Sequence, residues 1–300
     1  MFDYSSLAAL AAIIREGSFD RAARSLNVTA SAVSQRIRLL EERVGCVLVI
    51  RGQPCTATAR GRQLCQHFDR VRLLETELQD ALPGLSPQGE SRVALPIAVN
   101  ADSLATWFTP AIARYAATSP VLVELAVDDE SHTGELLRTG EVLAAVTASA
   151  RPAAGCSSQT LGSMRYRAAA SPEFMQHYFA GGVNYRNLSQ APSLGFDNKD
   201  TLQDRWAHRF CRRHLELPRH ALPSPEAFVT AALAGMGWGL HPESLIAHLL
   251  EAGSLVELEC SSPLDIPLYW QQARLASSLL DGLTREILAV TSSILIQHPD

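Results

Sequence analysis

Two short helical segments joined by a turn of about three residues constrain the start of this chain more tightly than any other feature. Ser18 is placed to cap a helix over 19–26, and Thr29 is placed to cap a helix over 30–44, which Gly45 ends. A nearly apolar helix over residues 3–14 precedes the pair. The spacing predicts a helix-turn-helix arrangement in a small helical domain.

The second of these helices has one polar face. Its apolar stripe consists of Val33, Ile37, Leu40 and Val44, and the opposite face carries Ser31, Ser34, Gln35 and Arg38. Serine, glutamine and arginine side chains hydrogen-bond base edges and phosphates in the DNA major groove. Residues 15–62 hold nine arginines and four acids, although the whole chain has a net charge of -5, which favours contact with phosphates. Periodicity alone fits the polar outer surface of a helical subdomain equally well.

An extended segment and a long helix follow. Residues 47–58 are predicted to form a small β-wing, and residues 59–82 a helix with an apolar stripe at spacings of three and four. The stripe consists of Leu64, Phe68, Val71, Leu74, Leu78 and Leu82. Such a stripe packs either on its own domain or on the same helix of a second subunit. Residues 83–89, rich in proline and glycine, are a linker by composition.

Strand-like and helix-like segments alternate from residue 91 onward. The strand-like segments are 93–99, 121–127, 143–147, 165–170, 193–196, 237–241, 255–258 and 268–270; the helix-like segments are 103–117, 133–139, 172–179, 201–215, 225–234, 242–252 and 277–296. Alternation is typical of parallel sheets covered by helices. Because about 210 residues is large for one such sheet, we expect two α/β lobes, formed by 91–163 with 268–300 and by 164–267, with a cleft between them.

Polar and acidic residues cluster where the predicted strands end, which is where open α/β sheets bind ligands. They are Asn100, Asp102, Ser103, Asp128, Asp129, Glu130, Asp197, Ser224 and Glu226. Several acids beside one cleft attract an amine or a guanidinium, and Ser103 at a helix start can cap that helix and hold a carboxylate. A basic amino acid presents both groups. Taken singly, each acid is more often a helix cap or a solvated side chain, so it is the clustering that favours a site.

The sequence lacks the signatures of enzymes. It contains no GxSxG elbow, no GxGxxG after a strand and no P-loop, and His177, His208 and His241 are isolated. The six cysteines show no zinc-ligand spacing. We therefore expect no catalytic site, no metal and no cofactor. The apolar run 7–14 is too short to cross a bilayer and lacks the features of a signal peptide, so we expect a cytoplasmic protein that does not contact membranes.

Residues 18–41, SFDRAARSLNVTASAVSQRIRLLE, resemble the signature of the LysR family of bacterial transcription regulators. Gly45, Arg51, Thr58 and Gly61 extend the resemblance, although residues 49–51 depart from the family's Leu-Phe-x-Arg. The resemblance implies a winged helix-turn-helix DNA-binding domain over 1–60, a dimerising linker helix over 61–82, a hinge over 83–90 and a periplasmic-binding-protein-like effector domain with two Rossmann-like lobes over 91–300. It also implies a dimer of dimers that contacts operator DNA and RNA polymerase.

Site residues follow from the polar face, the apolar stripe and the resemblance together. The residues expected at DNA are Arg24, Thr29, Ser31, Ser34, Gln35, Arg36, Arg38, Arg51 and Arg60. The residues expected at the dimer contact are Leu64, Phe68, Val71, Leu74 and Leu78.

Further runs resemble the arginine- and lysine-responsive ArgP/LysG branch of that family. They include residues 99–107, 128–130, 140–142, 225–229 and 268–270. This resemblance implies L-arginine or L-lysine as effector and a basic amino-acid exporter gene as target. The residues expected at the effector are Asn100, Ser103, Asp128, Glu130, Asp197, Ser224 and Glu226. Two alternatives remain: a LysR-type regulator of a different metabolite, and a ligand-independent DNA binder that inhibits replication initiation.

Overall fold

The computed structural model describes residues 2–81, 94–119, 121–128, 133–197 and 199–297, apart from the side chains of 73, 76, 77, 79–81, 275 and 277–279. The chain divides into two compact units, Met1–Val93 and Ala94–Asp300. The predicted hinge over 83–90 lies outside the described residues. Within the described part of the chain, no helix is long and apolar enough to cross a membrane.

The first unit is helical with a small two-stranded wing. Its elements are α1 (Tyr4–Glu16), α2 (Phe19–Ser25), α3 (Ala30–Val44), β1 (Val49–Ile50), β2 (Thr56–Ala57) and α4 (Ala59–Ala81). The wing strands pair antiparallel. Helices α1, α2 and α3 enclose a core that includes Leu10, Ile13, Val33 and Ile37, each no more than 1% exposed.

The helix ends are fixed by the capping groups that the sequence predicts. The Ser18 hydroxyl accepts a hydrogen bond from the Arg21 backbone N–H at 3.1 Å, and the Thr29 hydroxyl accepts one from the Ala32 N–H at 3.2 Å. Gly45 ends α3 with φ +78°, a conformation that favours glycine. The orientation of α3 relative to α2 therefore follows from short-range chemistry.

The second unit contains a seven-stranded mixed sheet and a small parallel pair. Its strands are β3 (Ala94–Val99), β4 (Leu122–Val127), β5 (Ala144–Thr147), β6 (Cys156–Ala170), β7 (Ser193–Gly195), β8 (Arg219–Ala221), β9 (Gly239–Pro242), β10 (Val256–Glu257) and β11 (Leu264–Ala273). The main sheet has the order β10-β6-β11-β5-β3-β4, and β9 also pairs with β6. Strand β3 lies parallel to β4 and β5, whereas β6 and β11 run antiparallel to all of their neighbours.

Nine α-helices, one π-helical turn and one 3₁₀ turn cover these strands in the described part of the unit. The helices are α5 (Ala101–Ser103), α6 (Thr109–Thr118), α7 (Thr133–Thr139), α8 (Pro172–Phe179), α9 (Tyr185–Leu188), α10 (Leu202–Cys211), α11 (Pro225–Leu233), α12 (Glu243–Glu251) and α13 (Ser277–Ile294), with a π-helical turn at Leu104–Phe108 and a 3₁₀ turn at Arg274–Ala276. Two separate apolar clusters mark two lobes. One contains Ala98 and Val142, and the other contains Leu194 and Phe228.

The two lobes share strands instead of having separate sheets, which corrects the expectation of two parallel sheets. Strands β6 and β11 are longer than predicted and pass from one lobe to the other, with a register shift between Leu268 and Tyr269 opposite Gly162. The polar segment Ser157–Thr160 reads as a loop in the sequence, yet it pairs with β11. Pairing with a neighbouring strand outweighs weak intrinsic strand preference. The predicted lobe boundaries, after residues 163 and 267, lie within about two residues of this register shift.

Candidate functional site

The polar face of α3 is open to solvent. Ser31, Gln35 and Arg38 are exposed, and Ser34 and Arg36 are half-buried. The Thr29 and Ser31 hydroxyls lie 3.0 Å apart at the start of the helix. The Arg38 guanidinium pairs with Glu42 at 2.8 Å, an exposed pair one turn apart that a phosphate can outcompete because such pairs are weak. The first unit thus presents hydrogen-bonding side chains along one exposed helix.

Basic side chains flank that helix. Arg24 and Arg60 are exposed, and the Arg51 guanidinium lies over the Phe19 ring at 5.1 Å from its centroid. This cation–π contact holds the wing arginine against α2. Arginines beside an exposed helix are suited to contact DNA phosphates.

The stripe on α4 divides into two parts. Phe68 is 5% exposed and contacts the Tyr4 ring at 4.9 Å, and Leu64 packs against the same core. Val71 is half-buried, and Leu74 and Leu78 are 48% and 58% exposed. Leu64 and Phe68, expected at a dimer contact, therefore belong to the core of their own unit, because α4 packs on α1 there. Leu74 and Leu78 remain uncovered.

A cleft of about 530 Å³, part of it open to solvent, lies in the second unit between the two lobes. One lobe contributes residues that follow β3 and β4, and the other contributes residues around β7, β9, α10 and α11. The lining consists of Asn100, Ala101, Asp102, Asp128, Phe196, Asp200, Leu202, Gln203, Pro225, Phe228, Leu240, His241 and Pro242. Its lining combines apolar side chains with a few polar ones, as is usual for small-molecule sites in proteins.

Three buried polar atoms in this lining have no hydrogen-bond partner among the described residues. They are Asn100 Oδ1, Gln203 Oε1 and His241 Nε2, on side chains that are 3%, 1% and 1% exposed. An unpaired buried polar group costs about 1–3 kcal/mol. Burial also lowers the pKa of His241 to about 4, so its imidazole is neutral at pH 7. Three such atoms at one cleft indicate a site that a polar ligand completes.

The carboxylates of the cleft have different environments. Asp102 accepts a hydrogen bond from the Tyr166 hydroxyl at 2.8 Å, and Asp128 lies 4.0 Å from the Lys199 ammonium. Asp200 accepts bonds from the Phe196 and Leu202 backbone N–H groups at 2.8 and 2.9 Å. Asp200 therefore stabilises the backbone at the edge of the cleft. Asp102 and Asp128 are the carboxylates suited to bind a cation. Among the described residues, no cluster of His, Cys, Asp and Glu is arranged to hold a metal ion.

Both units match known sequence families. The pattern of bacterial regulatory helix-turn-helix proteins of the lysR family matches residues 4–62, and that of the LysR substrate binding domain matches residues 86–291. The chain belongs to the LysR family of transcription regulators. It is therefore a DNA-binding regulator and not an enzyme, as the missing catalytic motifs led us to expect.

Named relatives of this LysR-family protein cover nearly its full length. It is 43% identical over 296 residues to the HTH-type transcriptional regulator ArgP of Pseudomonas fluorescens, covering 99% of this chain and 98% of the relative. The crystal structure of ArgP from Mycobacterium tuberculosis superposes with a TM-score of 0.83 at 40% identity, over 99% of this chain and 100% of that one. Full-length LysG from Corynebacterium glutamicum with bound effector Arg gives 0.71 at 38% identity, with the same coverage. The predicted resemblance to the ArgP/LysG branch is confirmed.

The structure brings only some of the predicted effector residues of this LysR-family protein to the cleft. Asn100 and Asp128 line it. Ser103, expected to cap a helix and hold a carboxylate, is fully buried inside the helical run that begins at Ala101. The predicted cap is wrong because the helix starts two residues earlier, with Asn100 at the N-cap. Contact between Ser103 and a ligand's carboxylate stays a prediction.

Three other predicted residues lie beside the cleft and bind their own loops. Asp197 accepts bonds from the Lys199 and Asp200 backbone N–H groups at 2.7 and 3.0 Å. Ser224 caps α11 and donates to Glu226 at 2.8 Å, and both line a neighbouring groove that shares Phe196 with the cleft. These residues lie near the cleft, and each already makes a hydrogen bond within its own loop or helix start. Glu130 lies outside the described residues.

Sequence reasoning missed the contributions of Gln203 and His241. Gln203 lies inside a predicted helix, and His241 near the end of a predicted strand was interpreted as an isolated core or surface residue. His241 is buried, yet it lines the cleft, and its Nε2 atom has no hydrogen-bond partner among the described residues. The available signal was its position at the carboxyl end of a strand, which also marked Asn100 and Asp128.

Proposed function

We propose that this LysR-family protein binds a basic amino acid, L-arginine or L-lysine, in the interlobe cleft, and that binding controls its action on DNA. This proposal is supported by the lining of the cleft, which combines two carboxylates, Asp102 and Asp128, with three buried polar atoms that lack hydrogen-bond partners among the described residues. A guanidinium or ammonium group offers the N–H donors that carboxylates and unpaired acceptors need. No other cofactor is required.

Charge favours a cationic effector over an anionic one. No lysine or arginine is among the described residues that line the cleft. An anionic ligand would therefore lie beside Asp102 and Asp128, and a nearby cation, Lys199, is already paired with Asp128 on the rim, which makes an anion unfavourable. The LysG of Corynebacterium glutamicum, 38% identical to this chain, has a structure with bound effector Arg, which supports the same ligand class here.

On the DNA side, we propose that the exposed face of α3 enters the major groove while Arg24, Arg51 and Arg60 contact the backbone. Leu74 and Leu78 are then the part of α4 that a second subunit covers. A dimer, or a dimer of dimers, would hold paired recognition helices about 34–36 Å apart and would select an imperfect palindrome. The proposed target is an exporter gene for basic amino acids, regulated through contact with RNA polymerase.

Calorimetry tests the effector. Arginine and lysine should bind the purified full-length protein, whereas citrulline, which lacks the positive charge, and glutamate should not. Asp128→Asn should weaken arginine binding about 10- to 100-fold, because a hydrogen bond to a charged group is worth about 1.5–3 kcal/mol. Asp281→Asn, an exposed acid on α13, is the matched control. Binding of glutamate in preference to arginine would refute the proposal.

Gel shifts on the intergenic region upstream of the protein's own gene, with and without each amino acid, test the coupling to DNA. Arg38→Ala should weaken DNA binding while arginine still binds the cleft, and Arg186→Ala in α9 serves as the charge-matched control. DNA affinity and migration that never respond to a basic amino acid would favour the ligand-independent alternative.

A further inference from the structure

A single lysine distinguishes the composition of this chain. All but one of its 26 lysine and arginine residues are arginines, and the exception is Lys199. Lys199 lies on the rim of the cleft, in the loop between β7 and α10, where its neighbours Phe196 and Asp200 both line the cleft.

The backbone that carries Lys199 is fixed. Asp197 accepts a hydrogen bond from the Lys199 N–H at 2.7 Å, and Asp200 accepts one from the Phe196 N–H at 2.8 Å. The side chain then extends to the other lobe, where its ammonium lies 4.0 Å from Asp128 Oδ1. Asp128 follows β4 and lines the cleft. The ion pair therefore joins the two lobes at the carboxylate that we assign to the effector.

We propose that Lys199 is a tethered competitor of the effector: its ammonium takes the place at Asp128 that the positive group of a basic amino acid must occupy. This inference rests on the proposed function. One carboxylate cannot give its full interaction to two cations, and a group on the same chain competes at a fixed, high local concentration. The effector binds only by displacing Lys199, and displacement breaks a contact between the lobes. Lys199 thus lowers the affinity of the cleft for the effector. Effector binding also breaks the contact between Lys199 and the opposite lobe.

The expected effect is modest because the pair is partly exposed, with the Lys199 and Asp128 side chains 55% and 34% accessible. Ion pairs of this kind change an equilibrium by a factor of up to about five. Lys199→Met keeps the length of the side chain and removes its charge. It should tighten arginine binding about two- to five-fold in calorimetry at low salt, with a smaller gain at high salt.

Three comparisons sharpen this test. Lys199→Arg keeps a cation and should retain the wild-type affinity to within about two-fold. Arg186→Met removes the same charge from α9, outside the cleft lining, and should leave the affinity unchanged. Agmatine, which is arginine without its carboxylate, should gain from Lys199→Met as arginine does. A weaker affinity for arginine in Lys199→Met would make Lys199 a partner of the effector's carboxylate and would overturn the proposal.

Because Lys199 is the only lysine, its displacement is directly observable. Reductive ¹³C-methylation labels only Lys199 and the N-terminal amine and preserves their positive charge. Saturating arginine should move the Lys199 signal toward its position in Asp128→Asn. A signal that stays in place, or an unchanged arginine affinity in Lys199→Met, overturns the competitor role and leaves the proposed effector intact. Failure of the wild-type protein to bind arginine or lysine would instead refute the proposed function itself.

Discussion

Replacing His241 should change how the stability of the second unit depends on pH. The imidazole is fully enclosed beside Phe228, with the two rings at right angles and 6.1 Å apart. Burial penalises its charged form and lowers its pKa from 6.5 to about 4. In the unfolded chain the same group titrates near 6.5. Above pH 6.5 it is neutral in both states and contributes nothing to the pH dependence.

Below pH 6.5 the unfolded chain gains a proton that the folded unit does not, so stability falls as the pH falls. The loss is about 2 kcal/mol at pH 5 and approaches about 3 kcal/mol below pH 4, at 1.36 kcal/mol for each unit of pKa difference. His241→Gln removes the titrating group and should remove this part of the acid sensitivity, whatever its effect on stability at pH 7.

Tryptophan fluorescence measures this unit selectively, because all four tryptophans of the chain lie in it and are fully buried. Urea unfolding at pH 7 and pH 5 gives the loss of stability in each protein. The loss should be about 2 kcal/mol smaller in His241→Gln than in the wild type, while His220→Gln, the substitution of an exposed histidine, should keep the wild-type difference. Equal losses in wild type and His241→Gln would show that His241 does not titrate in the way its burial implies.

Three further substitutions test the first unit. Gly61→Ala should destabilise it by about 1–3 kcal/mol, seen as a lower midpoint in thermal melts followed by circular dichroism, because a Cβ there would lie 2.2 Å from the Leu48 carbonyl oxygen. Thr29→Ala removes the cap of α3 and should cost about 1 kcal/mol, with faster amide exchange in the first turn of α3 and weaker DNA binding. Leu78→Asp should weaken self-association measured by sedimentation, since this leucine is 58% exposed among the described residues of its unit; an unchanged mass at all concentrations would contradict the proposed contact.

The first unit could be predicted almost completely from the sequence. Its helix boundaries depend on Ser18, Thr29 and Gly45, and each of these acts on a backbone group within four residues. The core stripe of α3 follows directly from its helical period. The division of the α4 stripe could not be predicted in the same way. Periodicity shows which residues share a face, but not where the neighbouring helix α1 ends.

The second unit shows where local signals fail. Long strands that pass between lobes were missed because Ser157–Thr160 have weak strand preference, and their pairing with β11 joins residues more than a hundred positions apart. The acidic strand ends correctly indicated the cleft through Asn100 and Asp128. They placed a helix cap at Ser103, whereas the helix starts two residues earlier and buries this side chain. Gln203 lies inside the predicted helix 201–215, and a helical pattern does not indicate which of its residues line a binding site.

The distribution of cleft residues over two lobes gives the proposed effector a way to act on the DNA-binding unit. Asn100, Asp102 and Asp128 follow strands of one lobe, and Gln203 and His241 belong to the other. A ligand that bonds both sets gains its full affinity at one interlobe separation only, so it must favour that conformation over others. A ligand that contacted one lobe alone would bind equally well at every separation and would shift no equilibrium. Control of DNA binding therefore requires contacts across the cleft, and the Lys199–Asp128 pair already makes one of them.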